Sequence, residues 1–249
     1  MVCRLLTGAS SGRGAGLAKA YARPGATLHL SGRDPERLEA VAEGCRAKGA
    51  EVFASILDVT DRDATAAWVA EADSRRPLDL VIANAGISAG TGGGGESAEQ
   101  TRAIFAVNVD GVFNTVMPAL APLRSRKTGR IGIMSSLAGF RGLPGAPAYC
   151  ASKAAVRVWG EALRGELAPD GVAVSVICPG VVTTPMTAVN RFKMPFLMVV
   201  DRAAAIIAQG LERRQGRIAF PFPMHLAVRL LAGLPSAWVD RLVEKMPRK

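Results

Sequence analysis

The stretch that most limits how this chain can fold is a glycine-rich turn near its beginning. Leu5 and Leu6 lead into glycines at positions 8, 12 and 14, and a helix-like run, Ala15 to Ala22, follows. A strand, a tight turn and a helix in this order bring backbone N–H groups and the positive helix terminus together, which suits a phosphate group. Glycine is needed because the backbone turns tightly and a Cβ would block a pyrophosphate. Alone, the triplet also fits an ordinary glycine-rich turn.

Apolar strands alternate with helical runs from this turn onward, which indicates the fold class. The expected strands after the first are Ala26–Leu30, Val52–Leu57, Leu78–Ile82, Gly129–Met134 and Val172–Ile177. The expected helices include Pro35–Arg46, Gln100–Leu120 and a run from Tyr149 to about Leu167. This alternation predicts an α/β fold with a doubly wound parallel sheet, and ligands bound at the carboxyl ends of the strands.

Length and composition favour one globular domain over residues 1–249. The chain is 49% hydrophobic and 21% charged, which excludes a disordered protein. Residues 171–190 carry no charge, but Pro179, Gly180 and Pro185 interrupt them, so a strand and a loop are expected rather than a membrane span. Residues 90–95 are expected to form a flexible loop within the domain.

Cysteines and histidines argue against metal chemistry. Cys3, Cys45, Cys150 and Cys178 lack CxxC spacing, so we expect free thiols in a reducing, cytoplasmic compartment. The first strand starts directly after Met1, and no signal peptide is expected before it. His29 and His225 have no ligand-spaced neighbours, so neither a metal site nor a histidine-based nucleophile is expected.

The positive charge of the chain favours a phosphorylated small molecule as its ligand. The net charge is +10, but no basic stripe interleaved with aromatic residues indicates a nucleic-acid partner. Arg33 follows the second strand, where an acidic residue would accept from the ribose 2′-OH of NAD(H). A guanidinium suits phosphate, so NADP(H) is favoured over NAD(H). Asp34 is expected to cap the helix Pro35–Arg46. The alternative is that Arg33 is only a solvated loop arginine.

Five further residues carry side chains suited to chemistry. Ser135 and Ser136 follow the fifth strand, at the end where chemistry is expected. Tyr149 and Lys153 are four residues apart and share one helix face. Asn108 lies inside an apolar helix, where burying its side-chain amide costs free energy unless the amide is hydrogen-bonded. A functional role and a purely structural hydrogen bond are equal alternatives for this residue.

In combination, these motifs resemble the short-chain dehydrogenase/reductase family, in its compact single-domain branch with a three-layer Rossmann fold. The glycine spacing is that of neither the Gly-x-Gly-x-x-Gly fingerprint nor a P-loop. The residues that match the family in order, over roughly residues 2 to 186, are Thr7-Gly8-x3-Gly12-x-Gly14, Asp58, Asn84-Ala85-Gly86, Asn108, Ser136, Tyr149-x3-Lys153 and Pro179-Gly180-x-Val182-x-Thr184.

The resemblance implies roles for four residues. Tyr149 would be the general acid/base, and Ser136, the serine about thirteen positions before it, would polarise the substrate oxygen. Lys153 would stabilise the tyrosinate and hold the nicotinamide ribose. Asn108 would keep a water that links Lys153 to solvent.

The resemblance also implies a set of cofactor-binding residues. They are Gly8, Ser10, Ser11, Gly12, Arg13, Gly14, Arg33, Asp58, Val59, Asn84, Ala85, Gly86, Tyr149, Lys153, Pro179, Gly180, Val182 and Thr184. Arg13 departs from the family, which usually has an aliphatic residue there.

The carboxyl-terminal part, residues 186–249, is expected to form a substrate lid and a tail. Met186, Phe192, Met194, Phe196, Leu197 and Met198 give an apolar segment that either lines a substrate pocket or packs on the core. The tail from Ile218 to Lys249 contains an apolar run, Met224 to Leu234, with basic residues nearby. Closing the pocket is the favoured role for this run, and subunit pairing and membrane contact stay open.

These observations favour an NADP(H)-dependent oxidoreductase that interconverts a secondary alcohol and a ketone or aldehyde on a small apolar substrate. A homodimer is expected rather than a tetramer. The alternative is a nucleotide-sensing binding protein on the same fold without turnover. All four catalytic positions are filled, which favours the enzyme.

Overall fold

A computed structural model of the chain describes residues 2–89, 95–188, 196–235 and 237–239. Most of the expected glycine loop, Phe192 and Met194 in the expected lid, and residues 240–249 of the tail lie outside these ranges. So does the side chain of Met186. The described part confirms the predicted α/β class.

Seven parallel strands form one sheet in the order β3-β2-β1-β4-β5-β6-β7. The strands are β1 Val2–Leu6, β2 Ala26–Gly32, β3 Glu51–Ile56, β4 Leu80–Ala83, β5 Gly129–Met134, β6 Val172–Pro179 and β7 Arg217–Phe220. The register pairs Leu5 with His29 on one side and with Val81 on the other. The order reverses at β1, so a crevice opens beyond the carboxyl ends of β1 and β4.

Nine α-helices are described, and they occupy both faces of the sheet. They are α1 Gly12–Tyr21, α2 Pro35–Arg46, α3 Arg62–Arg75, α4 Ala98–Phe105, α5 Gly111–Arg126, α6 Pro147–Leu167, α7 Pro185–Ala188, α8 Val200–Glu212 and α9 Phe222–Gly233. Buried side chains of α1, α2 and α8 pack on one face of the sheet. Those of α3, α5 and α6 pack on the other, which gives three layers.

The expected single helix Gln100–Leu120 is the one element that differs in kind. A π-helical turn, Ala106–Asp110, separates α4 from α5, and the helical run extends to Arg126. By length and composition alone, Ala98–Arg126 could cross a membrane. Val112 and Val116 are buried against the sheet layer, as in the core helix of a globular domain.

Three elements from residue 200 onward, α8, β7 and α9, have no counterpart in the sequence prediction. β7 has only four residues, which is too short for a periodic pattern. α9 follows β7 and forms part of the described tail, Phe222–Gly233. The four cysteines are buried, and none forms a disulfide within the described chain.

Candidate active site

The glycine turn joins the end of β1 to the start of α1, and its glycines are required by space. Gly8 and Gly12 have positive φ angles of 66° and 52°. A Cβ on Gly14 would lie 2.0 Å from the carbonyl oxygen of Gly8, and one on Gly8 would lie 2.8 Å from the Cα of Ala85. No side chain larger than hydrogen fits at these positions, so the turn keeps a cradle of bare backbone.

Thr7 and Asn84 lock this turn to the end of β4. The Thr7 Oγ1 accepts from the N–H groups of Asn84 at 3.1 Å and Ala85 at 3.3 Å. The Asn84 amide donates to the carbonyls of Thr7 and Gly8 at 2.9 and 3.1 Å. Asn84 therefore shapes the cradle with its side chain, while Ala85 and Gly86 border the cleft.

The start of α1 is an open set of donors. Ser11 is its N-cap residue, no described side chain accepts from the first N–H groups, and the first turn holds no acidic residue. An uncapped helix start leaves N–H groups and a partial positive charge for an anion. This arrangement fits the diphosphate of a dinucleotide.

A cleft of about 350 Å³ runs from this turn to the ends of β2 and β3. All but five of the predicted cofactor residues line it. The exceptions are Tyr149, Lys153, Pro179, Gly180 and Val182. Val182 is buried and pairs with Met198 through a β-bridge, so its side chain belongs to the core.

Arg33 stands at the far end of the cleft with an ion-pair partner. Its Nη1 lies 3.7 Å from the Asp58 carboxylate, and both side chains are exposed. A hydrogen bond from the Thr60 N–H, with a smaller contribution from Arg33, lowers the pKa of Asp58. The Asp34 carboxylate accepts from the N–H of Arg37 at 3.0 Å, which confirms the predicted cap.

Sequence reasoning missed Arg37, a second cation at this end of the cleft. It lines the cleft together with Arg33 and Asp34, and its Nε lies 3.2 Å from the Asp34 carboxylate. The signal was available, because a helix starting at Pro35 places residue 37 in the first turn, beside the end of β2. Ile87, Val107 and Pro185 also line the cleft and were not predicted.

Tyr149 and Lys153 lie on one face of α6, near the end of β5. The Lys153 Nζ is 5.9 Å from the centre of the Tyr149 ring and donates to the carbonyl of Met134 at 3.0 Å. Lys153 is almost fully buried. Burial, helped by the positive charge of Arg13, lowers the pKa of Lys153 to about 7.

The two adjacent serines have different surroundings. Ser135 is fully buried and donates to the carbonyl of Lys153 at 2.7 Å, which anchors α6 to β5. The Ser136 hydroxyl accepts from the N–H of Ala138 at 3.2 Å and lies 3.4 Å from the carbonyl of Pro179. Ser136 therefore stands at the open end of the strands, and Ser135 holds the framework together.

Asn108 lies in the π turn and joins three elements. Its Oδ1 accepts from the N–H of Ile87 at 2.8 Å, and its Nδ2 donates to the carbonyl of Ile87 and to Ser152, both at 3.0 Å. The buried amide is thus satisfied. A Cβ on Gly86 would lie 3.1 Å from Asn108 Oδ1 and 3.2 Å from Lys153 Nζ, so both side chains lie directly behind Gly86, which lines the inner end of the cleft.

Arg13 supplies a cation inside the cleft. It lines the cleft, and its buried Nε has no hydrogen-bond partner among the described residues. A buried donor without a partner is costly, so the site suits an anionic ligand beside α1. Bare glycine backbone, open N–H groups and Arg13 together fit a dinucleotide.

Comparison with known proteins agrees with this geometry. The family model for short chain dehydrogenases matches residues 3–194. The chain belongs to the short-chain dehydrogenase family. As a short-chain dehydrogenase, it is an NAD(P)-dependent dehydrogenase/reductase, which confirms the family and enzyme class predicted from its motifs.

The alignments with similar proteins extend over most of the chain. An uncharacterised oxidoreductase of Myxococcus xanthus is 39% identical over 243 residues, 97% of this chain and 96% of the relative. A solved short-chain dehydrogenase from Sphingobium yanoikuyae in complex with NADPH is 28% identical, with a TM-score of 0.82 over 99% of this chain and 97% of that one. Another, from Mycobacterium paratuberculosis and bound to NAD, is 25% identical, with a TM-score of 0.76 over 88% and 94%.

Proposed function

We propose that this short-chain dehydrogenase uses NADP(H) to interconvert a secondary alcohol and a ketone or aldehyde on a small apolar substrate, with Tyr149 as general acid/base. The proposal rests mainly on the placement of the buried Lys153 ammonium 5.9 Å from the Tyr149 ring, at the inner end of the cleft. A hydroxyl beside a cation suits proton exchange with a substrate oxygen.

In the direction of reduction, Tyr149 donates its hydroxyl proton to the substrate oxygen while Ser136 donates a hydrogen bond to the same oxygen. A nicotinamide held in the cleft would supply the hydride chemistry at the substrate carbon. Lys153 stabilises the tyrosinate that remains, and this negative charge in turn favours the ammonium form of Lys153. Oxidation reverses each proton step. The π turn at Asn108 holds a water that links Lys153 to solvent.

The first test separates proton transfer from cofactor binding. In Tyr149→Phe, turnover falls by about 10²-fold or more because the proton donor is lost, while the dissociation constant for NADPH stays nearly unchanged. The chain has one other tyrosine, Tyr21, whose buried hydroxyl has no hydrogen-bond partner among the described residues. Tyr21→Phe is the matched control and keeps wild-type turnover. Wild-type activity in Tyr149→Phe would refute the assignment.

The preference for NADP(H) is argued from the far end of the cleft. Arg33 and Arg37 both line it, and a Cβ on Gly32 would lie 2.9 Å from Ser10, so a hydroxyl and two guanidinium groups surround the end of β2. Guanidinium groups suit a ribose 2′-phosphate.

The test is a fluorescence titration with NADPH and NADH side by side. Wild type binds NADPH more tightly, and Arg33→Asp reverses the order because a carboxylate repels the 2′-phosphate and accepts from a ribose hydroxyl. Arg23→Asp, in an exposed turn, keeps the wild-type order. Tighter binding of NADH by the wild type, or an unchanged order in Arg33→Asp, contradicts the preference.

We also propose that residues 186–249 act as substrate lid and tail of one domain over residues 1–249. Met198 pairs with the loop after β6, with its N–H donating to the Val181 carbonyl at 3.0 Å and its carbonyl accepting from Thr183 at 2.9 Å. Phe196 and Leu197 are exposed beside this loop. An apolar segment next to the site suits an apolar substrate.

A homodimer through α5 and α6 and a cytoplasmic location complete the proposal. Met117 of α5 and Val158 of α6 expose apolar side chains, and Phe113 packs edge-on against Trp159 with ring centres 4.7 Å apart. This apolar patch suits a subunit contact. The four buried cysteines form no disulfide among the described residues, which suits a reducing compartment.

A further inference from the structure

Helix α9 exposes a stripe of large apolar side chains. Phe222, Leu226 and Leu230 are four residues apart and therefore lie along one side of the helix, with Leu234 just beyond its end. Phe222 is 71% exposed and Leu230 is 62% exposed. We refer to Phe222, Leu226, Leu230 and Leu234 as the outer face of α9.

The opposite side of α9 is packed against the domain, so the orientation of the helix is determined. Met224 and Val228 pack against the buried cluster of Leu137, Val176 and Cys178. The His225 ring meets the Phe140 ring edge-on at 5.4 Å. A surface helix held in this way ordinarily turns polar residues outward. An apolar outer face therefore indicates a binding surface.

The charge around the outer face favours an anionic partner. Residues 222–239 contain no aspartate or glutamate, and Arg229 is exposed on α9. In the sequence, residues 213–249 carry +6 of the net charge of +10, with eight lysines and arginines against two acidic residues, and Arg217 among them is paired with Glu161 of α6. Trp238 is 68% exposed, and in the sequence it stands between Leu234 and the basic residues that begin at Arg241. Tryptophan beside basic residues is typical of a membrane interface.

A second copy of the chain fits this surface less well. Twofold pairing through α9 would bring two copies of Arg229 to the contact with no acidic residue from 222–239 to offset them, and like charges repel. An anionic bilayer complements both the charge and the apolar side chains of this surface. Its headgroups attract the arginines and lysines, and the boundary of its acyl chains accommodates the apolar stripe.

We propose that the outer face of α9 binds the surface of bilayers that contain anionic lipids, which makes this protein a peripheral membrane protein. The proposal concerns a binding surface outside the cleft and does not depend on the substrate or cofactor preference proposed above.

The test is cosedimentation of the full chain with phosphatidylcholine vesicles, prepared with and without phosphatidylglycerol. Wild type sediments with the phosphatidylglycerol vesicles, and raising the salt concentration releases it. The double variant Leu226→Gln/Leu230→Gln binds at least about tenfold more weakly, because two apolar anchors are lost. Ile56→Gln, at a residue 60% exposed on β3, is the matched control and keeps wild-type binding.

Circular dichroism and NADPH binding show whether each variant is folded. Absence of wild-type binding to phosphatidylglycerol vesicles overturns the proposal, and so does equal binding by the double variant. Sedimentation equilibrium without lipid tests the alternative that a second copy of the chain binds the outer face of α9. If the double variant has a smaller assembly mass than the wild type, the outer face is a contact between copies and the lipid assignment is wrong.

Discussion

At the scale of single residues, Lys153 combines a proposed role in chemistry with a cost in stability. It is almost fully buried, and burial is the main cause that moves its pKa from 10.5 to about 7. A pKa shift of this size corresponds to a loss of about 5 kcal/mol in the free energy of unfolding when the lysine is charged in both the folded and the unfolded chain. The carbonyl of Met134 offsets only part of that cost. The ammonium form of Lys153 thus lowers the stability of the folded, cofactor-free chain.

Replacing this lysine should therefore change the pH dependence of stability. Between about pH 7 and about pH 10 the unfolded chain binds the Lys153 proton and the folded chain does not, so this residue makes stability rise with pH. Lys153→Met lacks that contribution. Its melting temperature relative to cofactor-free wild type is accordingly highest near pH 7 and falls as the pH rises. The measurement is thermal unfolding by circular dichroism across this range.

Lys48→Met provides the control, since Lys48 is exposed and donates to the carbonyl of Lys19. The difference in melting temperature between Lys48→Met and wild type stays constant over the same pH range. A constant difference for Lys153→Met as well would contradict the burial argument.

At the scale of elements, the start of α6 depends on a residue more than fifty positions away. Within the described chain, no side chain of α6 or of its N-cap residue Ala146 caps this helix. The Glu96 carboxylate instead accepts from the N–H groups of Ala148 at 2.5 Å and Tyr149 at 3.3 Å. A carboxylate at a helix N-terminus also interacts favourably with the helix dipole. Glu96 is a positioning residue for the helix turn that carries Tyr149.

Glu96→Ala should separate turnover from cofactor affinity. Loss of the cap loosens the first turn of α6 and costs about 1 kcal/mol of stability, so kcat falls about tenfold. The dissociation constant for NADPH changes little, since Glu96 does not line the cleft. Glu96→Gln keeps an acceptor oxygen and restores part of kcat. Steady-state kinetics and nucleotide fluorescence measure the two quantities.

Glu99→Ala is the matched control, because that carboxylate accepts from Ser97 at the start of α4 and makes no hydrogen bond to α6 in the described chain. It leaves kcat unchanged. Equal losses in kcat and in cofactor affinity for Glu96→Ala would show a general loss of structure rather than a role in positioning.

Local signals explain which elements the sequence predicts well. The bounds of α2, with Pro35 and the Asp34 cap, and of β5 agree with the structure. Helix starts and buried strands carry their signals in adjacent residues. The π turn at Asn108 and the capping of α6 by Glu96 depend on contacts between distant parts of the chain. No periodic pattern in a single sequence reports such contacts.

At the scale of the whole molecule, the proposed dimer makes a prediction about mass. The chain has a mass of 26.0 kDa, and wild type should sediment with twice that mass. Met117→Glu/Val158→Glu places two carboxylates in the patch on α5 and α6, so the variant should sediment as a monomer because burying unpaired charges is costly. Ile56→Glu, on β3, keeps the dimer. A monomeric wild type would contradict the contact.

The strand order has a consequence for how the protein is made. The four strands β3-β2-β1-β4 all lie within the first 83 residues. This half of the sheet and its glycine turn leave the ribosome well before Tyr149 and Lys153 are synthesised. Domains fold as synthesis proceeds, and β4, whose residues are all buried in the finished protein, waits for β5 with an open edge. Residues 84–128 thus set the interval during which the nascent chain needs protection from aggregation.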